Sequence, residues 1–139
     1  MDSSTHVGPL CTRAQIDTIE NTLATARAQG ARIRFGGSAL DGPGNFMTPT
    51  LVECTDPKTE TLQVEMFGPV MSLLPFDTEE EAIAFANDTP YGLAAYVFSG
   101  DVGNAMKIAE RLNAGIVGVN RGFVSDPAAP FGGMKESGI

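Results

Sequence analysis

The sequence has no tryptophan, one histidine, two cysteines and two tyrosines, and its nine Lys and Arg are outnumbered by seventeen Asp and Glu. Each shortage removes a class of function. At a net charge of −8, an acidic surface repels phosphate backbones and anionic membranes before contact, so neither nucleic acid nor membrane is an expected partner. No apolar run approaches the roughly 20 residues of a membrane helix, and the leader MDSSTHVGPL lacks the basic-then-apolar order of a signal peptide. A cytoplasmic location is the resulting expectation. Cys11 and Cys54 are too few and too widely spaced for a disulfide framework or a metal knuckle, and read as small core or surface thiols. His6 lies in a polar leader without a second ligand beside it, so no metal site is expected. No Gly-x-Gly-x-x-Gly run opens a helix after a strand, which weighs against a small dinucleotide-binding domain in its own right.

What is present is ordinary globular material. The 139 residues are 42% hydrophobic and 19% charged, which fits one domain with a buried core. The stretch CTRAQIDTIENTLATARAQGA reads as a helix, with Thr12 and Gln15 spaced as a capping box and Ile16, Ile19, Leu23 and Ala26 on one face. Gly30 ends it. RIRF and MTPTLVE are short strand candidates on either side of the turn-rich GGSALDGPGNF, which predicts a hairpin-like excursion and return.

The second half is more regular. VMSLLPF is an apolar strand, and Thr78 with Glu81 forms a second capping box before EEEAIAFAND. The acids of that first turn suit the positive end of the helix dipole. TPYG breaks the helix and LAAYVFS is the next strand. Asp101 then caps VGNAMKIAERLNA, with Val102, Ala105, Ala109 and Leu112 inward and Gly115 stopping it before the strand IVGVN. Apolar strands alternating with amphipathic helices imply an α/β fold, a mostly parallel sheet with covering helices. In such sheets ligands collect beyond the carboxyl ends of the strands, which points to the Gly- and Pro-rich segment from Asn120 onward. No repeat, low-complexity tract or linker interrupts the chain.

One stretch resists a packing account. In QVEMFGPVMS, residues 63 to 72, an acid at Glu65 and a ring at Phe67 precede a sharp Phe-Gly-Pro corner. A strand-entry turn, with Glu65 solvated and Phe67 in the core, is the plain reading.

EMFGPV at 65 to 70 and NRGFVSDPAAPFGGMKESG at 120 to 138 resemble signature segments of the aldehyde dehydrogenase superfamily. VGPLCTRAQIDTIENTLATARAQGARIRFGG, NDTPYGLAAYVFS and AGIVGVN extend the resemblance over essentially the whole chain, in the family's order. GFVSDPAAPFGG is most similar to the succinate-semialdehyde dehydrogenase branch. The resemblance implies a catalytic-domain α/β fold that faces a separate dinucleotide-binding domain. It implies that Glu65 hydrogen-bonds the nicotinamide ribose hydroxyls and that the Phe67 ring buttresses the nicotinamide. An ionised carboxylate can accept from two adjacent hydroxyls, and a flat apolar ring keeps water from a hydride path. Ser125 would help hold the substrate's distal carboxylate through a charge-assisted hydrogen bond, and Phe131 would line the substrate tunnel. A turn-forming Ser125 before Asp-Pro and a core Phe131 stay open beside these roles.

The family reaction uses a cysteine thiolate to attack the aldehyde, hydride transfer to NAD or NADP, and a glutamate that activates water. By the resemblance these groups precede the matched region, and neither PLCTR nor VECTD resembles the nucleophile's Gly-Gln context. No catalytic residue is therefore assigned to residues 1 to 139, which read as the C-terminal portion of the catalytic domain without its NAD(P)-binding domain. The complete enzyme would oxidise succinic semialdehyde to succinate. The chain alone is expected to be inactive and to hold no cofactor. A non-catalytic module that associates with itself or with a full-length dehydrogenase through exposed sheet edges is the competing expectation.

Overall fold

Thr12 starts the first helix of the computed structural model, which describes residues 5–138. Its hydroxyl accepts from the Gln15 amide at 3.2 Å and opens α1, Arg13–Ala28. The predicted capping box closes only by this half, because the Gln15 side chain is committed elsewhere, as described below. Ile16, Ile19, Leu23 and Ala26 are buried as predicted, joined by Thr22. The helix ends on a Schellman arrangement: Gly30, at φ 94°, donates to Arg27 O, and Ala31 donates to Ala26 O.

The chain divides into two compact units, Met1–Pro75 and Phe76–Ile139, where size alone predicts one. Every β-ladder closes within one unit. In the first, α1 is followed by β1 (Arg32–Phe35), β2 (Thr50–Glu53), a four-residue helix α2 (Glu60–Gln63) and β3 (Val70–Leu73). The sheet order is β1-β2-β3. β1 and β2 are antiparallel, the predicted excursion and return, with an irregularity between Ile33 and Phe35. β2 and β3 are parallel, with Thr50 opposite Val70. One face of the sheet joins α1 in a core of Ile19, Leu23, Ala26, Ala31, Met47, Val52 and Cys54. Fully burying each of the larger aliphatic side chains stabilises the unit by roughly 1.5–3 kcal/mol. α2 lies where no helix was predicted; four residues are too few to display a period.

The second unit opens at Thr78, whose capping box with Glu81 is complete, and continues as α3 (Glu79–Asn87). β4 (Tyr91–Gly92), β5 (Ala94–Val97), α4 (Val102–Ala109), β6 (Ile116–Val119) and β7 (Met134–Lys135) follow. β5 and β6 are parallel across the α4 crossover, and β4 pairs with β7 antiparallel. Asp101 caps α4 by accepting from the Asn104 amide at 3.0 Å. That helix stops at Ala109 instead of running to Gly115, because Arg111 and Leu112 tighten into bonds to Ile108 O and Ala109 O. Val102, predicted inward, is exposed in the first turn, ahead of the buried Ala105. The α/β class is as predicted, but its strands, two to four residues long, form three small sheets.

Candidate functional site

The corner after α2 is built on α1. A Cβ at position 68 would push on the tip of the Ile19 side chain, and Leu10 Cδ2 lies 3.5 Å from the same point, so the bare glycine lets this backbone lie close against the helix. The Gln15 side-chain amide donates to the Phe67 carbonyl. Past the corner, the Thr50 amide donates to Pro69 O at 2.8 Å and leads the chain into β3. Between these ties Phe67 takes a left-handed backbone, φ 47°, an uncommon conformation for a bulky residue. The residue is 73% exposed. The plain reading of Phe67 as a core residue therefore fails within this chain. Glu65, two residues earlier, is also exposed.

The segment beyond β6 is fastened at both ends. At its start Asn120, at φ 52°, receives the Ser99 amide on Oδ1 at 2.9 Å and donates from Nδ2 to Ser99 O at 3.0 Å. At its end Lys135 Nζ donates to Asn87 O at 2.7 Å and to Thr89 O at 2.9 Å, placing a cation on the C-terminus of α3. The Ser137 hydroxyl receives the Gly92 amide at 3.2 Å, and the Glu136 amide donates to Pro90 O. Between the fastenings Ser125 is exposed and Phe131 is 59% exposed. The turn at this point is closed by Asp126, whose Oδ1 receives the Ala128 amide at 2.9 Å, and not by Ser125. Core packing does not account for Phe131 within this chain.

The sequence candidates thus fall in two pairs, Glu65 with Phe67 on one corner and Ser125 with Phe131 on one loop, each pair in its own unit. Sequence reasoning missed Gln15, Asn120 and Lys135, which hold the backbone beside those pairs. Asn120 carried a signal: asparagine tolerates the left-handed conformation at a strand end. Lys135 carried none, because its acceptors lie nearly fifty residues away in sequence. Cys11 is exposed, and Cys54 is buried with Sγ 3.6 Å from Thr61 Oγ1, a packing environment. Among the described residues no three His, Cys, Asp or Glu gather as a metal site. No described helix is long and apolar enough to cross a membrane. The resolved titration shifts belong to an exposed pair elsewhere: hydrogen bonding to Arg111 holds the Glu80 carboxyl below the usual carboxylate range, and Glu80 raises Arg111.

The model of the aldehyde dehydrogenase family matches residues 1–139 of this chain. The chain belongs to the aldehyde dehydrogenase family. A succinate-semialdehyde dehydrogenase of Paenarthrobacter nicotinovorans is 41% identical over 99% of this chain and 31% of its own length. A betaine aldehyde dehydrogenase of Cereibacter sphaeroides is 42% identical over 100% of this chain and 29% of its own length. Among solved structures, the NAD+ complex of an aldehyde dehydrogenase from Bacillus cereus superposes with a TM-score of 0.94 at 37% identity, over 100% of this chain and 28% of that one. This aldehyde dehydrogenase chain therefore spans about three tenths of the length of the relatives it matches. The family is one of oxidoreductases. The exposed acid and ring at the Glu65–Phe67 corner fit one end of a nicotinamide nucleotide, a ribose diol and a flat ring, and neither pair offers a phosphate cradle.

Proposed function

We propose that this chain supplies the nicotinamide-facing corner and the substrate-tail loop of an NAD(P)-dependent aldehyde dehydrogenase acting on succinic semialdehyde. Residues 1–139 are its C-terminal catalytic portion, and the nucleophile and dinucleotide domain lie on the portion not spanned. The observation that carries the reading is the Phe67 ring, held out of the core in a left-handed backbone between the Gln15 tie and the Gly68 contact.

In the net reaction an aldehyde and water give a carboxylate, with a hydride delivered to the nicotinamide and two protons released. NAD or NADP, when bound, accepts that hydride. Glu65 would hold the cofactor there, its carboxylate accepting hydrogen bonds from ribose hydroxyls. Phe67 fills the space beside the ring and excludes water. Ser125 donates to the substrate's distal carboxylate, a charge-assisted bond that favours an acidic tail over a neutral one. Phe131 lines the path of the alkyl chain.

The test is a chimera in which residues 1–139 replace the matched region of the P. nicotinovorans relative, assayed for cofactor reduction. Succinic semialdehyde should be turned over well ahead of betaine aldehyde. Ser125→Ala should raise KM for succinic semialdehyde about tenfold with little change in kcat, and Glu65→Gln should lower kcat about tenfold or more. A folded chimera that prefers betaine aldehyde would sink the acidic-tail reading. The 139-residue chain alone should show no turnover with either aldehyde.

A further inference from the structure

The loop that carries Ser125 and Phe131 rests on two bare positions, Gly115 immediately before β6 and Gly118 within it. Neither glycine has a left-handed φ, so it is space and not backbone conformation that keeps a side chain out. A Cβ at position 115 would run into the Gly132 carbonyl, with Gly132 C at 2.8 Å and Gly133 Cα at 3.0 Å. All three atoms are backbone, and no side-chain rotation clears them. A Cβ at position 118 would stand 2.7 Å from Val124 Cγ1, 3.0 Å from Tyr96 Cδ1 and 3.2 Å from the Arg121 carbonyl oxygen. Tyr96 is the ladder partner of Gly118 on β5, and valine is stiff at χ1, so a side chain there would drive Val124 and its backbone away from the strand. Every one of these contacts lies within the second unit.

Ser125 directly follows Val124, and Phe131 directly precedes Gly132, so each adjoins one of these contacts. Three residues of backbone separate the two glycines by at most about 11 Å, whereas the segment 124–132 could stretch to about twice that or more. Slack is taken up in the turn where Asp126 Oδ1 receives the Ala128 amide. The length of the loop therefore does not place the Ser125 hydroxyl. The Asn120 clasp fixes where the loop departs, and the Val124 contact fixes where it lies one residue before Ser125. We propose that Gly118 and Val124 are positioning residues: the valine seated on the bare strand holds the Ser125 hydroxyl where it meets the carboxylate tail of the aldehyde. The inference rests on the proposed function and goes further in naming two residues that touch no substrate yet set the preference for an acidic tail.

The experiment has a structural arm on the 139-residue chain and a kinetic arm on the chimera. In the chain, Gly118→Ala should shift the backbone amide resonances of Val124 and Ser125 and spare those of Phe131 and Gly132, which the Gly115 contact holds separately. In the chimera, Gly118→Ala should raise KM for succinic semialdehyde about fivefold with kcat within about twofold of the parent. In a Ser125→Ala background the same substitution should add less than about twofold, because the bond it displaces is already gone. A glycine that merely held the fold would raise KM equally in both backgrounds, and that result overturns the proposal, as do unmoved Val124 and Ser125 amides in the folded variant. If Gly118→Ala does not fold, Val124→Ala carries the test. Without the methyls that rest on Gly118 it should raise KM about threefold, and add nothing once Ser125 is replaced by alanine. No rise, or the same rise in both backgrounds, overturns the proposal. Shifted amides together with an unchanged KM in the Ser125→Ala chimera would sink the acidic-tail function and leave the seating of the loop standing. A raised KM for Ser125→Ala beside a parental KM for Gly118→Ala would sink this inference alone.

Discussion

The two units are held together by different means. The first closes around aliphatic side chains: Ile16, Ile19, Leu23 and Val52 are fully excluded from solvent beside α1. The second buries far less, with Ile83, Val97 and Ala105 as its buried hydrophobic residues among those described. Polar clasps replace the core there. Asn87 receives the Asn113 amide on its side-chain oxygen and donates to Arg111 O, Arg111 reaches Glu80, and Lys135 and Asn120 fasten the loop. Apolar burial is non-directional, whereas hydrogen-bonded clasps depend on distance and angle and so fix geometry. The loop carrying Ser125 and Phe131 is held by the second method, which specifies a conformation without much hydrophobic stabilisation.

The largest effect expected from breaking this contrast is in the first core. Leu23→Ala should cost about 2–5 kcal/mol in urea unfolding of the chain. Ile83→Ala, the matching truncation in the less deeply buried second unit, should fall at the low end of that range, about 2 kcal/mol. Equal losses for the two would erase the distinction between the units. Lys135→Met removes two bonds from a charged donor at an exposed site, for which about 1 kcal/mol is expected. Hydrogen exchange should accelerate at β4 and β7 by several-fold while the amides of β2 stay unchanged. Acceleration in both places would mean that the units do not open independently.

Helix caps sharpen the comparison further. Thr78→Ala breaks a closed box and should cost about 1 kcal/mol, and Thr12→Ala, which lacks the reciprocal side-chain bond, should cost less. The smallest effect concerns pH. The Glu80 carboxyl is held low by Arg111, so its contribution to folding is present above the carboxyl's unfolded pKa and disappears as pH falls through the lower folded value. Between about pH 5 and pH 3 the parent should lose slightly more stability than Glu80→Gln. The pair is exposed, so a salt titration should shrink the difference.

How much of this was legible in the sequence depended on how local each cause was. α1, its Gly30 terminus and both Thr caps could be read because each is decided within a few residues. The Schellman bonds and the Thr78–Glu81 box are such cases. β4, β7 and α2 could not, since elements of two to four residues carry no period and exist only through tertiary pairing. The same division runs through the candidate site. Glu65, Phe67, Ser125 and Phe131 were singled out by resemblance, yet their exposed placement could not be inferred from it. The Gln15 bond to Phe67 O shows why: it diverted a side chain that the local pattern had assigned to a capping box.

Under the proposed function, the left-handed backbone at Phe67 sets thermostability against cofactor contact at one position. Asparagine would adopt that φ with less strain, and Phe67→Asn should leave the chain as stable as the parent or more so, while deleting the flat surface on which a nicotinamide would rest. A screen for heat tolerance alone would therefore drift away from phenylalanine here. A screen for dehydrogenase turnover in the assembled enzyme would restore it.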